Sequence, residues 1–207
     1  MTRIVLVRHG ETVWHSENRY AGSTDVSLTP KGMRQAEELA IWARHAGISA
    51  VWSSTLSRAR ITAQPAADAL NLPLQVDKRL VELDFGRGEG LTDAEMEAQF
   101  PAERAAFKHD PVIHHLPGGE DPVQAAQRAT TALVDIAAAS PEGRILVVAH
   151  NTLIRLVLCK MLEIPLSRYR TVFPQLMNGT LTELSLSAPP LVNAALLSFN
   201  APLSATE

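Results

Sequence analysis

Thr2-Arg3-Ile4-Val5-Leu6-Val7-Arg8-His9-Gly10-Glu11-Thr12 is the stretch whose reading decides the fold. The short apolar run Ile4 to Val7 reads as a buried strand. It delivers Arg8 and His9 to its C-terminal end, where ligand crevices form in open α/β sheets. An imidazole at such a place can act as a nucleophile, and an adjacent guanidinium can hold an anion through two parallel hydrogen bonds. Gly10 follows at once and has no side chain to keep a ligand from the backbone. On this stretch alone, a strand end facing water is an equally good reading.

Working outward, strand and helix signals alternate. After a polar loop from His15 to Leu28, Thr29-Pro30 opens a helix with Thr as N-cap and Pro at the first helical position. Its expected apolar face holds Met33, Ala36, Leu39, Ala40 and Ala43, with Gly47 placed to end it. Ile48–Trp52 reads as a strand, Ser53-Ser54-Thr55 as the cap of a helix from Leu56 to Leu70, and Pro73–Val76 as a third strand. Thr92-Asp93-Ala94-Glu95 is a capping box, and Pro101 breaks the helix that it starts. Past a loop from Pro111 to Asp121, a helix runs from Pro122 to Ala139. Arg144–Ala149 is a second strong buried strand, and a helix from Thr152 to Leu162 follows it. Thr171–Phe173, Thr180–Leu186 and Leu196–Phe199 read as further strands, with Asn178-Gly179 as a hairpin signal. The tail after Pro202 is expected to fray. This order predicts an α/β fold, a three-layer sandwich with a mostly parallel central sheet flanked by helices, as one domain over residues 1–207. It also places the ends of two strong strands, Arg8-His9 and Ala149-His150, side by side at one crevice.

Composition excludes several classes. With 46% hydrophobic and 20% charged residues the chain is neither disordered nor collagen-like. A net charge of −3 with no basic run leaves no nucleic-acid footprint. A local Arg/His cluster can still attract an anion, because screening acts over roughly 8 Å at physiological salt. The single cysteine, Cys159, sits in the apolar run Leu156–Cys159 and reads as a buried inert thiol. Ile4–Val7 is too short for a secretory signal, and the long apolar stretch Ile145–Leu162 carries His150, Arg155 and Lys160, so no membrane span is expected. A soluble cytoplasmic protein is the expectation.

Four segments carry candidate chemistry: Arg8-His9-Gly10-Glu11-Thr12; Ser53-Ser54-Thr55-Leu56-Ser57-Arg58-Ala59; Leu80-Val81-Glu82-Leu83-Asp84-Phe85-Gly86; and Val147-Val148-Ala149-His150-Asn151-Thr152. Together they supply two arginines, two histidines and a glutamate, which suits an anion pocket with a nucleophile and a proton donor. Taken singly, Arg58 reads equally as a helix ion-pair partner, His150 as a satisfied core histidine, and Asp84 as a rival to Glu82. His109, His114 and His115 form a second imidazole group without the acidic or cysteine ligands of a metal site.

This set resembles the histidine phosphatase superfamily, also called phosphoglycerate-mutase-like. The likeness runs from Arg3 to about Leu186 through Glu17-Asn18-Arg19-Tyr20-Ala21-Gly22, Asp25-Val26-Ser27-Leu28-Thr29-Pro30-Lys31-Gly32 and Pro117-Gly118-Gly119-Glu120. The resemblance implies the phosphoglycerate-mutase-like fold, with His9 as the residue that takes the phosphoryl group. It implies that Arg8, Arg58 and His150 neutralise the phosphoryl oxygens, and that Glu82 protonates the leaving oxygen and then accepts a proton from water. His15, Ala21, Gly22 and Asn151 would complete the substrate-binding set with Arg8 and Arg58. No metal and no cofactor is implied, and the partner is a small phosphorylated substrate, with a homodimer open.

The chain departs from the family pattern in places. His15 replaces an amide that usually binds phosphate, and is expected to supply a cationic donor. Ala21 stands where Ser or Gln is common, Asn151 where many relatives have Gly, and Gly88 where phosphatase relatives often have Trp. Between Ala94 and Pro117, where glycolytic mutases carry a Lys and an Arg-Arg pair, only Arg104 and Lys108 occur. That favours a phosphomonoesterase. The alternatives are a cofactor-dependent phosphoglycerate mutase and a catalytically dead phosphate-binding module.

Overall fold

The computed structural model describes residues 1–187 and 193–203, so the last four residues of the tail expected to fray lie outside the described residues. Six strands form one sheet: β1 (Thr2–Arg8), β2 (Ala50–Ser53), β3 (Leu74–Val76), β4 (Arg144–Ala149), β5 (Leu181–Leu186) and β6 (Ala194–Ala201), in the order β3-β2-β4-β1-β5-β6. The pairings of β2 with β3, β2 with β4 and β1 with β4 are parallel. Those of β1 with β5 and β5 with β6 are antiparallel, so the sheet is mixed, with its parallel part as expected.

The central strands are apolar along their whole length because both faces are covered. Ile4 and Leu6 share one face with Ile145, Val147 and Ala149, under α5 (Pro122–Ala139) and α6 (Asn151–Met161). Val5 and Val7 share the other with Leu146 and Val148, under α1 (Pro30–Ala43) and α2 (Ser57–Leu70). Alanines at 59, 63, 66 and 67 of α2 and at 125, 126, 129 and 132 of α5 bring both helices close to the sheet. Below the first face lie α3 (Asp93–Gln99) and α4 (Pro101–His109), divided at Pro101 as read, with the Thr92/Glu95 capping box in place.

Four local readings change. Met33 is 46% exposed, and Gly32 takes its place on the buried side of α1. A Cβ on Gly32 would come within 2.2 Å of the Glu11 carbonyl oxygen, and one on Gly10 within 2.5 Å of the Gly32 carbonyl oxygen. The two glycines thus let α1 meet the end of β1 backbone to backbone. Ser53-Ser54-Thr55 does not cap α2; the Asp25 carboxylate, 32 residues earlier, accepts from the Ser57 N–H and hydroxyl. Thr171–Phe173 is not a strand: α7 (Tyr169–Val172) is a single turn that buries Tyr169, with Phe173 buried just after it. Asn178-Gly179 accordingly makes no hairpin; Gly179, at φ 72°, turns the chain into β5 and donates its N–H to the Arg8 carbonyl.

Candidate active site

Parallel register brings the two strand ends together. Arg8 of β1 lies opposite Ala149 of β4, and the His9 N–H donates to the Ala149 carbonyl at 3.1 Å. The next residues, His9 and His150, therefore emerge side by side with ring centroids 5.2 Å apart. His9 stands in the wall of a cavity of about 660 Å³ with Arg8, His15, Ala21, Glu82 and Asn151. His150 and Arg58 adjoin that wall, His150 through its ring beside His9 and Arg58 through its bond to the Ala21 carbonyl.

The nucleophile candidate is fixed by one hydrogen bond. His9 Nδ1 lies 2.8 Å from the Gly10 carbonyl, which only accepts, so the proton is on Nδ1 and Nε2 is left with a free lone pair. The Gly10 N–H is pinned in turn to Thr62 Oγ1 of α2 at 2.9 Å. Burial, then the Arg58 and Arg8 charges, push the His9 imidazole well below its ordinary range, so the ring is neutral. His150 is held alike: Nε2 meets Ser54 Oγ at 2.7 Å, and burial with Arg58 depresses its proton affinity.

The cations around them are poorly satisfied. Arg8 gives one N–H to the Leu176 carbonyl at 2.7 Å and one to His15 Nε2 at 2.6 Å, and burial brings it down to about 10, still charged at neutral pH. Arg58 grips the carbonyls of Ala21, Gly22 and Thr24 at 2.7–2.9 Å. Six buried side-chain polar atoms lack a partner among the described residues, and four of them belong here: Arg8 Nε, Arg58 Nε, His150 Nδ1 and Asn151 Oδ1. An unsatisfied buried polar group costs about 1–3 kcal/mol, so the concentration of three nitrogens and one acceptor oxygen at one place marks a site shaped for a polar ligand, with the two guanidinium N–H groups suited to its acceptor oxygens.

Glu82, only 5% exposed, is anchored by three backbone N–H groups. Oε1 accepts from Leu83 and Leu153, and Oε2 from Thr152, at 2.8–2.9 Å. The carboxyl group thereby sits on the N-terminal turn of α6. Its loop is gripped from outside. Arg128 donates to the carbonyls of Arg79, Val81 and Glu82, and is itself paired with Glu120 of the Pro117–Glu120 motif at 2.7 Å. Asp84, the rival acid, accepts from the Gly86 N–H and is no part of the cavity wall.

One expectation is corrected. His15 is not a cationic donor: Arg8 Nη2 donates to its Nε2 at 2.6 Å, so the single ring proton of the neutral imidazole is on Nδ1, 2.8 Å from Thr12 Oγ1, and toward Arg8 the ring is an acceptor. Burial, then Arg8, lowers it to about 4. An unfolded histidine takes up its proton near pH 6.5, before the folded one does. Below that pH the unfolded state binds more protons, so stability is complete above 6.5 and is lost as pH falls toward 4. In thermal melts at pH 7 and pH 5, His15→Asn is expected to lose less stability on acidification than the parent chain; equal losses would contradict this assignment.

A Cβ on Gly88 would meet Leu116 Cδ1 at 2.4 Å, so a larger residue there would require the Leu116 side chain to move. Arg104 is buried and paired with Asp93 at 2.7 Å, and neither it nor the exposed Lys108 reaches the cavity wall. His109, His114 and His115 are exposed and lie off the cavity wall. Among the described residues no three His, Cys, Asp or Glu side chains converge to hold a metal ion, and no helix is long and apolar enough to cross a membrane. Cys159 is fully buried, and burial pushes its thiol up. Sequence reading missed Arg155 and Arg170, which both line the cavity. It also missed Glu89, which takes the N–H groups of Ser23, Thr24 and Phe85.

Several known proteins resemble the chain over most of its length. A chain with 35% identity over 165 residues is the probable phosphoglycerate mutase GpmB of Proteus mirabilis, covering 80% of this chain and 77% of that protein. Phosphoserine phosphatase 1 of Hydrogenobacter thermophilus is 28% identical over 82% of this chain and 80% of its own length. Among solved structures, a mycobacterial glucosyl-3-phosphoglycerate phosphatase, Rv2419c, in complex with VO3 superposes with a TM-score of 0.88 at 28% identity, over 97% of this chain and 99% of that one. Bacillus stearothermophilus YhfR gives 0.90 at 26% identity, over 98% of both chains. Residues 4–189 match the model of branch 1 of the histidine phosphatase superfamily, and the chain belongs to that superfamily.

Proposed function

We propose that the protein is a phosphomonoesterase that hydrolyses a small phosphorylated metabolite through a phosphohistidine at His9. The observation that carries this reading is the free Nε2 of a neutral His9 amid unpartnered buried nitrogens on Arg8, Arg58 and His150. A phosphate ester brings non-bridging oxygens to those nitrogens and its phosphorus to Nε2. Attack forms the N–P bond as the P–O bond to the alcohol breaks, and Glu82, entering the cycle as the protonated acid, delivers its proton to the departing oxygen. Water then attacks the phosphohistidine, Glu82 takes a proton from it, and inorganic phosphate leaves. The fixed cations meet the charge of both transition states without reorganising. The relatives named as phosphatases support this reading.

The test is phosphate release in EDTA from a panel that includes 3-phosphoglycerate, phosphoserine, sugar phosphates and nucleoside monophosphates. Release that persists in EDTA is the expected result, and no release from any ester would overturn the proposal. The likeness to GpmB favours mutase chemistry as the second reading. That reading expects bisphosphoglycerate to phosphorylate His9 with little phosphate set free.

A further inference from the structure

Beyond the phosphate cluster the cavity wall carries two more guanidiniums, Arg155 of α6 and Arg170 of α7. Both lie over the ring of the buried Tyr169, at 5.1 and 5.5 Å, so two like charges are held at one place. Neither pairs with a carboxylate among the described residues. Arg155 donates only to the carbonyls of Asn151 and Phe173, and Arg170 gives Nε to the Tyr169 hydroxyl at 2.9 Å. The neighbouring acids of the wall are already engaged: Asp93 by Arg104, Glu17 by Arg19, and Glu82 by its backbone donors. Such a pair repels itself, and holding it partly buried has a cost that an anion in the cavity within reach of both guanidiniums would offset.

We propose that Arg155 and Arg170 form a second anion subsite that reads a carboxylate or a second phosphate on the substrate. The substrate class is then a phosphate ester with another anionic group some atoms away, as opposed to a neutral alcohol phosphate. This deepens the phosphomonoesterase reading and rests on it for which end of the ligand reacts.

Calorimetric titration of the His9→Ala protein separates the two ideas, because binding is read without turnover. Against glycerol 3-phosphate, 3-phosphoglycerate is expected to bind about tenfold tighter or more, since a charge-assisted hydrogen bond is worth at least that factor. Adding Arg170→Met should bring the ratio toward one, and Arg170→Lys should restore part of it. Arg155→Met, with its fold checked by near-ultraviolet dichroism, should act in the same direction. A ratio near one in the His9→Ala parent for both 3-phosphoglycerate and a bisphosphate, or one unmoved by Arg170→Met, overturns the subsite. If a bisphosphate shows the larger ratio, the subsite stands and its ligand is phosphate. Failure of the phosphatase reading would appear elsewhere, as no phosphate released by the unmodified protein from any of these esters.

Discussion

His9→Ala is expected to reduce phosphate release by at least about 10⁴-fold, the scale of loss when a covalent nucleophile is deleted. The variant should still fold. The ring makes one hydrogen bond, to the Gly10 carbonyl, while the Gly10 N–H keeps its bond to Thr62. The space that it leaves opens onto a cavity already lined with polar groups. Release assays on a matched panel, with a thermal melt beside them, check both halves. Phosphoenzyme quenched in alkaline detergent, stable to alkali and lost on brief exposure to low pH, should be found in the parent chain and be missing from the variant. Residual release within tenfold of the parent would mean that His9 is not the phosphoryl acceptor.

The second large effect falls on Glu82. Glu82→Gln is expected to lower kcat/KM by about 10²–10⁴-fold, the usual contribution of a general acid. The loss should be greatest for alkyl phosphates, whose alkoxide leaves poorly without a proton, and smaller for p-nitrophenyl phosphate, whose phenolate needs less help. A uniform loss across leaving groups would point instead to misplaced binding. Misplacement is a concern, because the amide nitrogen that this substitution introduces would face a backbone N–H of α6 from which the carboxylate now accepts. A control comes from Asp84→Asn, which keeps the oxygen that accepts from Gly86 and should stay within about twofold of the parent.

Where local signals were strong, the chain was legible. Ile4–Val7 and Arg144–Ala149 are continuous apolar runs because helices cover both faces of those strands, and their shared register follows from parallel pairing. That register made a His9/His150 neighbourhood readable from the sequence. What escaped was set by tertiary contact. The cap of α2 comes from Asp25 across a loop, which no pattern within the helix announces. Tyr169, Val172 and Phe173 have the composition of a strand, yet burial of Tyr169 under two arginines makes a single helical turn there. Arg155 interrupts an apolar helix, and in sequence it marked only the absence of a membrane span. Glu120 drew notice as part of a motif, but its work through Arg128 on the loop of Glu82 spans residues far apart in the chain.

The loop of residues 21–25 and the first turn of α2 hold each other in both directions. Arg58 reaches out to three loop carbonyls, and Asp25 reaches back to the Ser57 N–H and hydroxyl. One flank of the catalytic pocket is thereby fixed before any ligand arrives. Encounter with substrate need not wait for this flank to close, and binding loses little chain entropy there, which leaves more of the intrinsic affinity available for orienting the ester. The same rigidity narrows the leaving groups that can be accommodated along that flank, so selectivity on this side comes from fixed shape.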